Sequence, residues 1–278
     1  MVKKNIILFF GFLVTVLLSL SIHIVMLQVI GVQYPDNSGI PLIPRLLNKW
    51  LSVLALFVFY YLAKEKLSKK SIAIQTIIVF CLYTMVKEVL IRANLMEGVV
   101  TTSWIFPFIK AVPQLLGYLI LAFALVVSNF FISKKWQLLG ISILITCLLQ
   151  FVLEPQLNSI FNPIISSYSY LAHDPIYELP YDWHVLVPAY LTFAEPVIAA
   201  FVIVYYIWEK LDGKAWQKII LIGILICLIK GMLLPVFLFT PYLKLNFIAA
   251  IASEIQFTLE FLAVGILTSI FWAWSRKK

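Results

Sequence analysis

Several charged or amide side chains lie deep within the apolar stretches of this 278-residue chain. A charge inside a membrane is costly, so such residues by default face the interior of a helical bundle and mark a substrate or ion site. The sequence therefore nominates nine substrate- or ion-binding residues: Lys87, Glu88, Gln114, Gln150, Glu195, Lys230, Glu254, Gln256 and Glu260.

Four of these residues share a depth in the predicted membrane. Four of them lie 13 or 14 residues from a tryptophan at the predicted cytoplasmic end of their helix: Gln150, Glu195, Lys230 and Glu260. Fourteen helical residues span roughly 21 Å, and the hydrocarbon core is about 30 Å thick, which places these side chains in the outer half. The inner half of the last helix, Leu262–Ile270, is almost wholly apolar. The pattern predicts a polar cavity that opens outward and is closed toward the cytoplasm.

The same charges also fit a structural role. Lys230 with Glu195 or Glu260, and Lys87 with a carboxylate, are candidates for buried ion pairs that fix the register of neighbouring helices. The sequence favours a ligand cavity, because carboxylates outnumber the two lysines near this depth.

A predicted outer loop holds weaker candidates for metal binding. Imidazoles and carboxylates are zinc ligands, and five of them fall within 12 residues: His173, Asp174, Glu178, Asp182 and His184. Their spacing matches no known metal motif, and Pro175 and Pro180 prevent a continuous helix. We therefore expect a solvated loop and no metal.

No cofactor and no catalytic residue is identified, because P-loop, G-x-S-x-G, H-E-x-x-H and Rossmann motifs are absent from the sequence.

The elements that position these residues are predicted from composition and apolar run length. The chain is 63% hydrophobic and 12% charged, whereas soluble domains are about 45–50% apolar and about 25% charged. This predicts an all-α, polytopic membrane bundle with about eight helices of roughly 20 apolar residues each. The predicted segments are Asn5–Val32, Pro44–Ala63, Ser71–Ile91, Trp104–Phe131, Trp136–Leu153, Trp183–Trp208, Trp216–Phe239 and Tyr242–Trp274.

Lysine and arginine clusters orient these segments. The N-terminal lysines, the KEKLSKK loop, Lys134 with Lys135, the EKLDGK loop and the terminal SRKK all fall on one side. The positive-inside rule makes that side cytoplasmic, so both termini are predicted inside. The short loops and an uncleaved first helix favour a prokaryotic plasma (inner) membrane. We expect membrane lipids to bind the protein, and a membrane protein is a candidate partner. Because the basic residues flank membrane segments, we expect no nucleic-acid partner.

The predicted organisation is one transmembrane domain over residues 1–278. Residues 154–182 form its one long outer loop, which is too interrupted to span the membrane and is predicted to be an interfacial or re-entrant element.

The sequence also contains a weak internal repeat. Trp136, Gln137, Cys147 and Pro155 recur 80 residues later, which favours related helical hairpins from segments 2–3, 4–5 and 6–7. Pro113 and Pro196 are expected to kink their helices.

Three classes of function fit this sequence. The first is a transporter or transporter subunit for a small charged or amphiphilic substrate, with Glu195 or Glu260 as a coupling-proton site. The second is a membrane-embedded enzyme acting on a lipid or lipid-linked substrate at the outer leaflet. The third is a non-catalytic subunit, assembly factor or immunity factor of a membrane complex. The charged and amide side chains at one depth in the membrane favour the first class. The sequence alone does not decide whether the chain is an enzyme.

Overall fold

The computed structural model describes residues 2–132, 134 and 136–276, with the side chain of residue 2 excepted. All regular secondary structure in the described part of the chain is helical. Three lysines that contribute to the predicted orientation, Lys135, Lys277 and Lys278, lie outside the described residues.

The helices follow one another with short connections. A π-helical turn at Val25–Val29 extends the first helix, and another at Leu149–Leu153 joins the sixth to the seventh. In chain order the helices are α1 Val2–Ile24, α2 Leu42–Leu67, α3 Ile72–Val86, α4 Arg92–Thr101, α5 Phe106–Ser128, α6 Gln137–Leu148, α7 Glu154–Ser167, α8 Trp183–Thr192, α9 Ala194–Ile207, α10 Ala215–Lys230, α11 Pro235–Leu238 and α12 Phe247–Trp274.

Six helical stretches in the described residues are long and apolar enough to cross a membrane. This confirms the predicted all-α membrane character. The count of eight and the inward orientation of both termini stay predictions, since α3 and α10 have only 15 and 16 residues. The six stretches are Lys3–Val29, Leu42–Leu67, Phe106–Ser128, Gln137–Ser167, Trp183–Lys210 and Phe247–Trp274.

Two predicted helices end earlier than the sequence indicated. The segment predicted over Ser71–Ile91 stops at Val86, because Glu88 adopts a left-handed conformation with φ of 61°. The segment predicted over Trp216–Phe239 stops at Lys230, where Gly231 has φ of 81°. Glycine adopts this conformation without a steric penalty, whereas a residue with a Cβ pays about 1–2 kcal/mol. The break at Glu88 therefore needs support from its surroundings.

Two other segments also differ from their predicted form. The stretch expected to be an outer loop begins with a helix, α7, that continues α6 through the π-helical turn. α8 and α9 are separated at Phe193, three residues before Pro196. Proline has no amide to bond the carbonyl of Thr192, which accounts for a break at this point. α5, in contrast, is continuous across Pro113.

The chain forms two compact units. The first comprises Met1–Ala63 and Pro196–Lys278, and the second Lys64–Glu195. In the first unit α12 packs against α1 and α10. In the second unit α5 packs against α3 and α7, and α4 packs against α8.

Two glycines bring α10 and α12 unusually close together. A Cβ added to Gly265 would lie 2.6 Å from the Cα of Gly223. Small residues at such a crossing allow the backbones of membrane helices to approach, which increases van der Waals contact. This contact fixes the position of α12 relative to the end of α10.

The starts of α6 and α10 have the same local structure. The side-chain oxygen of Gln137 accepts from the Lys134 amide at 2.9 Å, and that of Gln217 accepts from the Lys214 amide at 2.7 Å. These glutamines are two of the residues on which the 80-residue repeat rests. The repeat itself stays a prediction.

Candidate functional site

The nine nominated residues are divided between the two units. Five lie in the second unit: Lys87, Glu88, Gln114, Gln150 and Glu195. Four lie in the first unit: Lys230, Glu254, Gln256 and Glu260. Each group is described within its own unit.

In the second unit the Glu195 carboxylate binds the start of α4. Its Oε1 accepts from the Leu90 amide at 3.2 Å, and its Oε2 accepts from the Ile91 and Arg92 amides at 3.0 and 2.5 Å. The first amides of a helix have no partner within the helix and carry partial positive charge. Glu195, only 6% exposed, therefore caps α4 from another helix.

Arg92 completes this arrangement. Its Nη1 donates to the Ala189 carbonyl at 2.5 Å and to the Thr192 hydroxyl at 2.9 Å, and its Nε lies 2.7 Å from Glu88 Oε1. The Ala189 carbonyl belongs to the last turn of α8, where a cation satisfies orphan acceptors. Arg92 thus caps the end of α8 while Glu195 caps the start of α4.

The geometry gives Glu195 a defined structural role in the second unit. Its hydrogen bonds go to backbone amides rather than to a lysine. The contact of Arg92 with Glu88 supports the left-handed residue at the break. Arg92 is not among the nine residues that the sequence nominates. The sequence indicates the role of Arg92 only through the position of its guanidinium at the end of an apolar run.

The other nominated residues of the second unit are Lys87, Gln114 and Gln150. The Lys87 ammonium is 5.4 Å from the centre of the Tyr83 ring, which packs edge-on against Tyr118 at 4.8 Å. The exposed Gln114 donates to the Tyr118 hydroxyl at 2.9 Å. Gln150 is half-buried in the π-helical turn. Lys87 and Gln114 are thus connected through Tyr83 and Tyr118.

In the first unit Lys230 is the last residue of α10 and is 8% exposed. Its ammonium lies 4.5 Å from the centre of the Phe261 ring, a cation–π contact with α12. Glu260, adjacent to Phe261 in sequence, is 3% exposed. Both nominated residues are therefore buried, at the level where α10 ends.

Side chains from other helices complete the hydrogen bonding at the end of α10. Asn48 donates to the Gly231 carbonyl at 2.9 Å, Ser52 to the Ile229 carbonyl at 2.6 Å, and Thr258 to the Met232 carbonyl at 2.5 Å. A membrane offers no water to the orphan carbonyls of a helix end, so such partners must come from the protein. None of the three had been nominated from sequence.

A polar stripe follows one side of α12. The Ser253 hydroxyl donates to the Gln33 carbonyl at 2.7 Å, and Gln256 Nε2 donates to the Gln33 and Ser253 carbonyls at 3.3 and 2.9 Å. Residues four apart lie on one helix face, so Glu260 continues the stripe one turn below Gln256. The Gln256 Oε1 is buried and has no hydrogen-bond donor among the described residues.

Glu254 is a nominated residue on α12 whose carboxyl group is buried. It is 1% exposed, and its Oε1 has no donor within the part of the chain that the structure describes. It lies one turn above Thr258, on a different side of α12 from Gln256. A buried carboxylate without a partner is costly, so this group calls for a proton or for a donor brought by a ligand.

A cavity of about 330 Å³ lies above the polar stripe at the predicted outer end of the first unit. Residues 30–33 form one wall, and Leu245, Asn246, Ala249 and Ala252 form the other. Its volume falls in the roughly 300–1,000 Å³ range of small-molecule sites.

The weak metal candidates in the outer loop are dispersed and exposed. Asp182 caps α8 by accepting from the His184 amide at 2.9 Å, and the His184 ring stacks on Trp183 at 3.6 Å. No group of three histidine, cysteine, aspartate or glutamate side chains suited to a metal ion occurs within the described ranges. His173 and Glu178 are exposed.

No protein-family model matches this chain, and the comparisons with curated proteins and with solved structures find no significant similarity. The functional argument therefore depends on the residues and their geometry.

Proposed function

We propose that this protein is a transporter, or a subunit of one, that handles a small charged or amphiphilic substrate from the outer side of the membrane. The observation that carries the proposal is the buried Glu254 carboxyl, one oxygen of which lacks a donor among the described residues. Ionisable residues inside a membrane are expensive and mark substrate or ion pathways.

Interrupted helices support the same proposal. α3, α8 and α10 each end within an apolar stretch, at Val86, Thr192 and Lys230. Discontinuous helices of this kind form the substrate and ion sites of many secondary transporters. In this chain the ends of α4 and α8 are already capped by Glu195 and Arg92, so the first unit is the better location for a substrate.

Glu254, in the first unit, is a better acceptor for a substrate or coupling cation than Glu195, in the second unit. The Glu195 oxygens are engaged by three amides, whereas Glu254 retains an acceptor that the described residues do not use. The buried Lys230 and Glu260, at the end of α10 and on α12, provide charges of both signs for a substrate that carries both.

The Glu254→Gln variant is expected to reduce substrate accumulation at least about 10-fold, because a lost hydrogen bond to a charged group costs about 1.5–3 kcal/mol. The assay incubates proteoliposomes with a mixed extract of polar metabolites and lipids, removes the external solution, and identifies accumulated solutes by mass spectrometry. The exposed Glu178→Gln variant is the matched control and should accumulate solute as the wild type does. Equal accumulation by protein-free liposomes and by wild-type proteoliposomes would overturn the transport proposal.

A further inference from the structure

One face of α12 follows α10 and continues past its end. Its members are three or four residues apart, a spacing that places them in one line along the helix: Gly265, Phe261, Thr258 and Glu254. The Phe261 ring centre lies 4.5 Å from the ammonium of Lys230, the last residue of α10. One turn higher, the Thr258 hydroxyl donates to the Met232 carbonyl, just beyond α10. Glu254 lies one further turn up, so it faces the non-helical segment between α10 and α11.

No described residue of the surrounding elements donates to the Oε1 of Glu254, which is 1% exposed. α12 packs here against α1, α10, α11 and the 3₁₀ turn at Thr240–Tyr242, and α2 bonds the end of α10. The titratable side chains of these elements at this end of the unit are His23, Arg45, Lys49, Cys227, Lys230, Tyr242 and, on α12 itself, Glu260. Lys230, the cation on α10, contacts Phe261, two turns or about 10 Å below Glu254.

Glu254 is therefore stable in this position only as the neutral acid. An ionised carboxylate that is removed from water without a partner is so costly that the group neutralises instead. A hard metal ion fits less well, because it takes about six oxygen ligands. The carbonyls at the end of α10 already accept from Asn48, Ser52 and Thr258, whereas a proton needs the carboxyl group alone.

The segment beside Glu254 is also a point where the chain can rearrange. α10 ends at Gly231 with φ of 81°, and α11 begins only at Pro235. In many secondary transporters interrupted helices of this kind surround the substrate and the coupling ion, and movement around them gives access from alternate sides. A substrate that reaches Glu254 in this way must keep the buried carboxyl group neutralised. A cationic group takes the place of the proton without leaving an unpaired charge.

We infer that Glu254 carries a proton in this state and exchanges it for an ammonium group of the substrate. In the exchange the O–H bond of the carboxylic acid breaks and the proton passes to water, while an N–H of the ammonium donates to the carboxylate oxygen. One proton leaves for each substrate bound, and the reverse step reloads the site. This assignment rests on the proposed function, since it names the coupling ion and the charged group of the substrate.

Infrared difference spectroscopy of the full chain in dodecyl maltoside, which contributes no carbonyl band, tests for the proton. A neutral carboxyl group has a carbonyl stretch that an ionised carboxylate does not show. The wild-type spectrum minus that of Glu254→Gln at neutral pH should therefore contain this band. Glu254→Asp should shift the band, and Glu178→Gln, at an exposed glutamate, should leave it unchanged. Identical wild-type and Glu254→Gln spectra in this region would overturn the inference.

Proteoliposomes with an acidic interior test the exchange. They are incubated with the same metabolite and lipid extract, while valinomycin and equal potassium on both sides hold the membrane potential at zero. One-for-one exchange should accumulate ammonium-bearing solutes about 10-fold for each pH unit, since the solute gradient balances the proton gradient. Protein-free liposomes control for amines that cross the bilayer unaided. Accumulation that persists after nigericin collapses the pH gradient would contradict the exchange.

Thermal unfolding verifies that each variant is folded, and the band shift in Glu254→Asp carries the infrared test if Glu254→Gln does not fold. The two proposals fail separately in these experiments. A neutral Glu254 without solute accumulation in any gradient overturns transport and leaves the buried proton in place. Accumulation by wild type that is equal with and without the acidic interior overturns the exchange alone.

Discussion

Replacing Glu195 with alanine is expected to lower the free energy of unfolding by about 3–5 kcal/mol, the cost typical of removing one partner from a buried charged interaction. The substitution leaves the amides of Leu90, Ile91 and Arg92 without the acceptor that they now share. These amides are part-buried and lie in or next to the predicted membrane segment that ends at Ile91, where water does not replace the lost bonds. The start of α4 should therefore lose its order first.

Unfolding of the detergent-solubilised protein, followed by tryptophan fluorescence against temperature and denaturant, measures this effect. Glu195→Gln keeps one acceptor oxygen and should fall between wild type and alanine. Glu178→Ala, at an exposed glutamate, provides the control and should change stability by less than about 0.5 kcal/mol. The capping role of Glu195 is wrong if its alanine variant unfolds together with the Glu178 control.

The second large effect is expected at the crossing of α10 and α12. Gly265→Ala should destabilise the protein by about 2–3 kcal/mol, because its new Cβ would lie 2.6 Å from the backbone of Gly223. A backbone atom cannot move aside as a flexible side chain can, so the two helices must separate. The polar stripe and Glu254 on α12 would shift with them.

Two other glycines provide a graded comparison for this prediction. Gly223→Ala would contact the side chain of Ile266 at 3.0 Å, and because that side chain can move, the loss should be smaller. Gly140→Ala meets no atom within 4 Å and should be neutral or stabilise by up to about 1 kcal/mol through helix propensity. Equal unfolding midpoints for the Gly265 and Gly140 variants would show that the close approach is not required.

Long apolar runs made most of the membrane helices predictable, whereas the helix breaks depended on tertiary contacts. Gly231 directly follows Lys230, and glycine after a cation is a recognised signal for a helix end. The break at Glu88 has no such signal, because the sequence around it contains neither glycine nor proline. Its left-handed backbone is supported by Arg92, whose other partners lie about 100 residues away.

The candidate site was predictable in residue type but not in role. Costly charges within apolar runs identified Glu195, Lys230 and Glu254, and all three are buried. Their partners could not be deduced, because the sequence gives depth along a helix but not which face meets which neighbour. Ser52 bonds a carbonyl 177 residues away, and Ser253 bonds one 220 residues away. Long-range contacts of this kind make Glu195 a cap and leave the Glu254 Oε1 without a donor among the described residues.

Mass spectrometry of the small molecules that copurify with the protein from mild detergent tests the central claim most directly, with wild type compared against Glu254→Gln and Lys230→Met. We predict a charged or amphiphilic molecule bound to wild type in about equimolar amount and depleted in both variants. Glu178→Gln should retain it. A stoichiometric partner protein with no small molecule, unchanged in all variants, would contradict substrate handling and assign these buried charges to the stability of a complex.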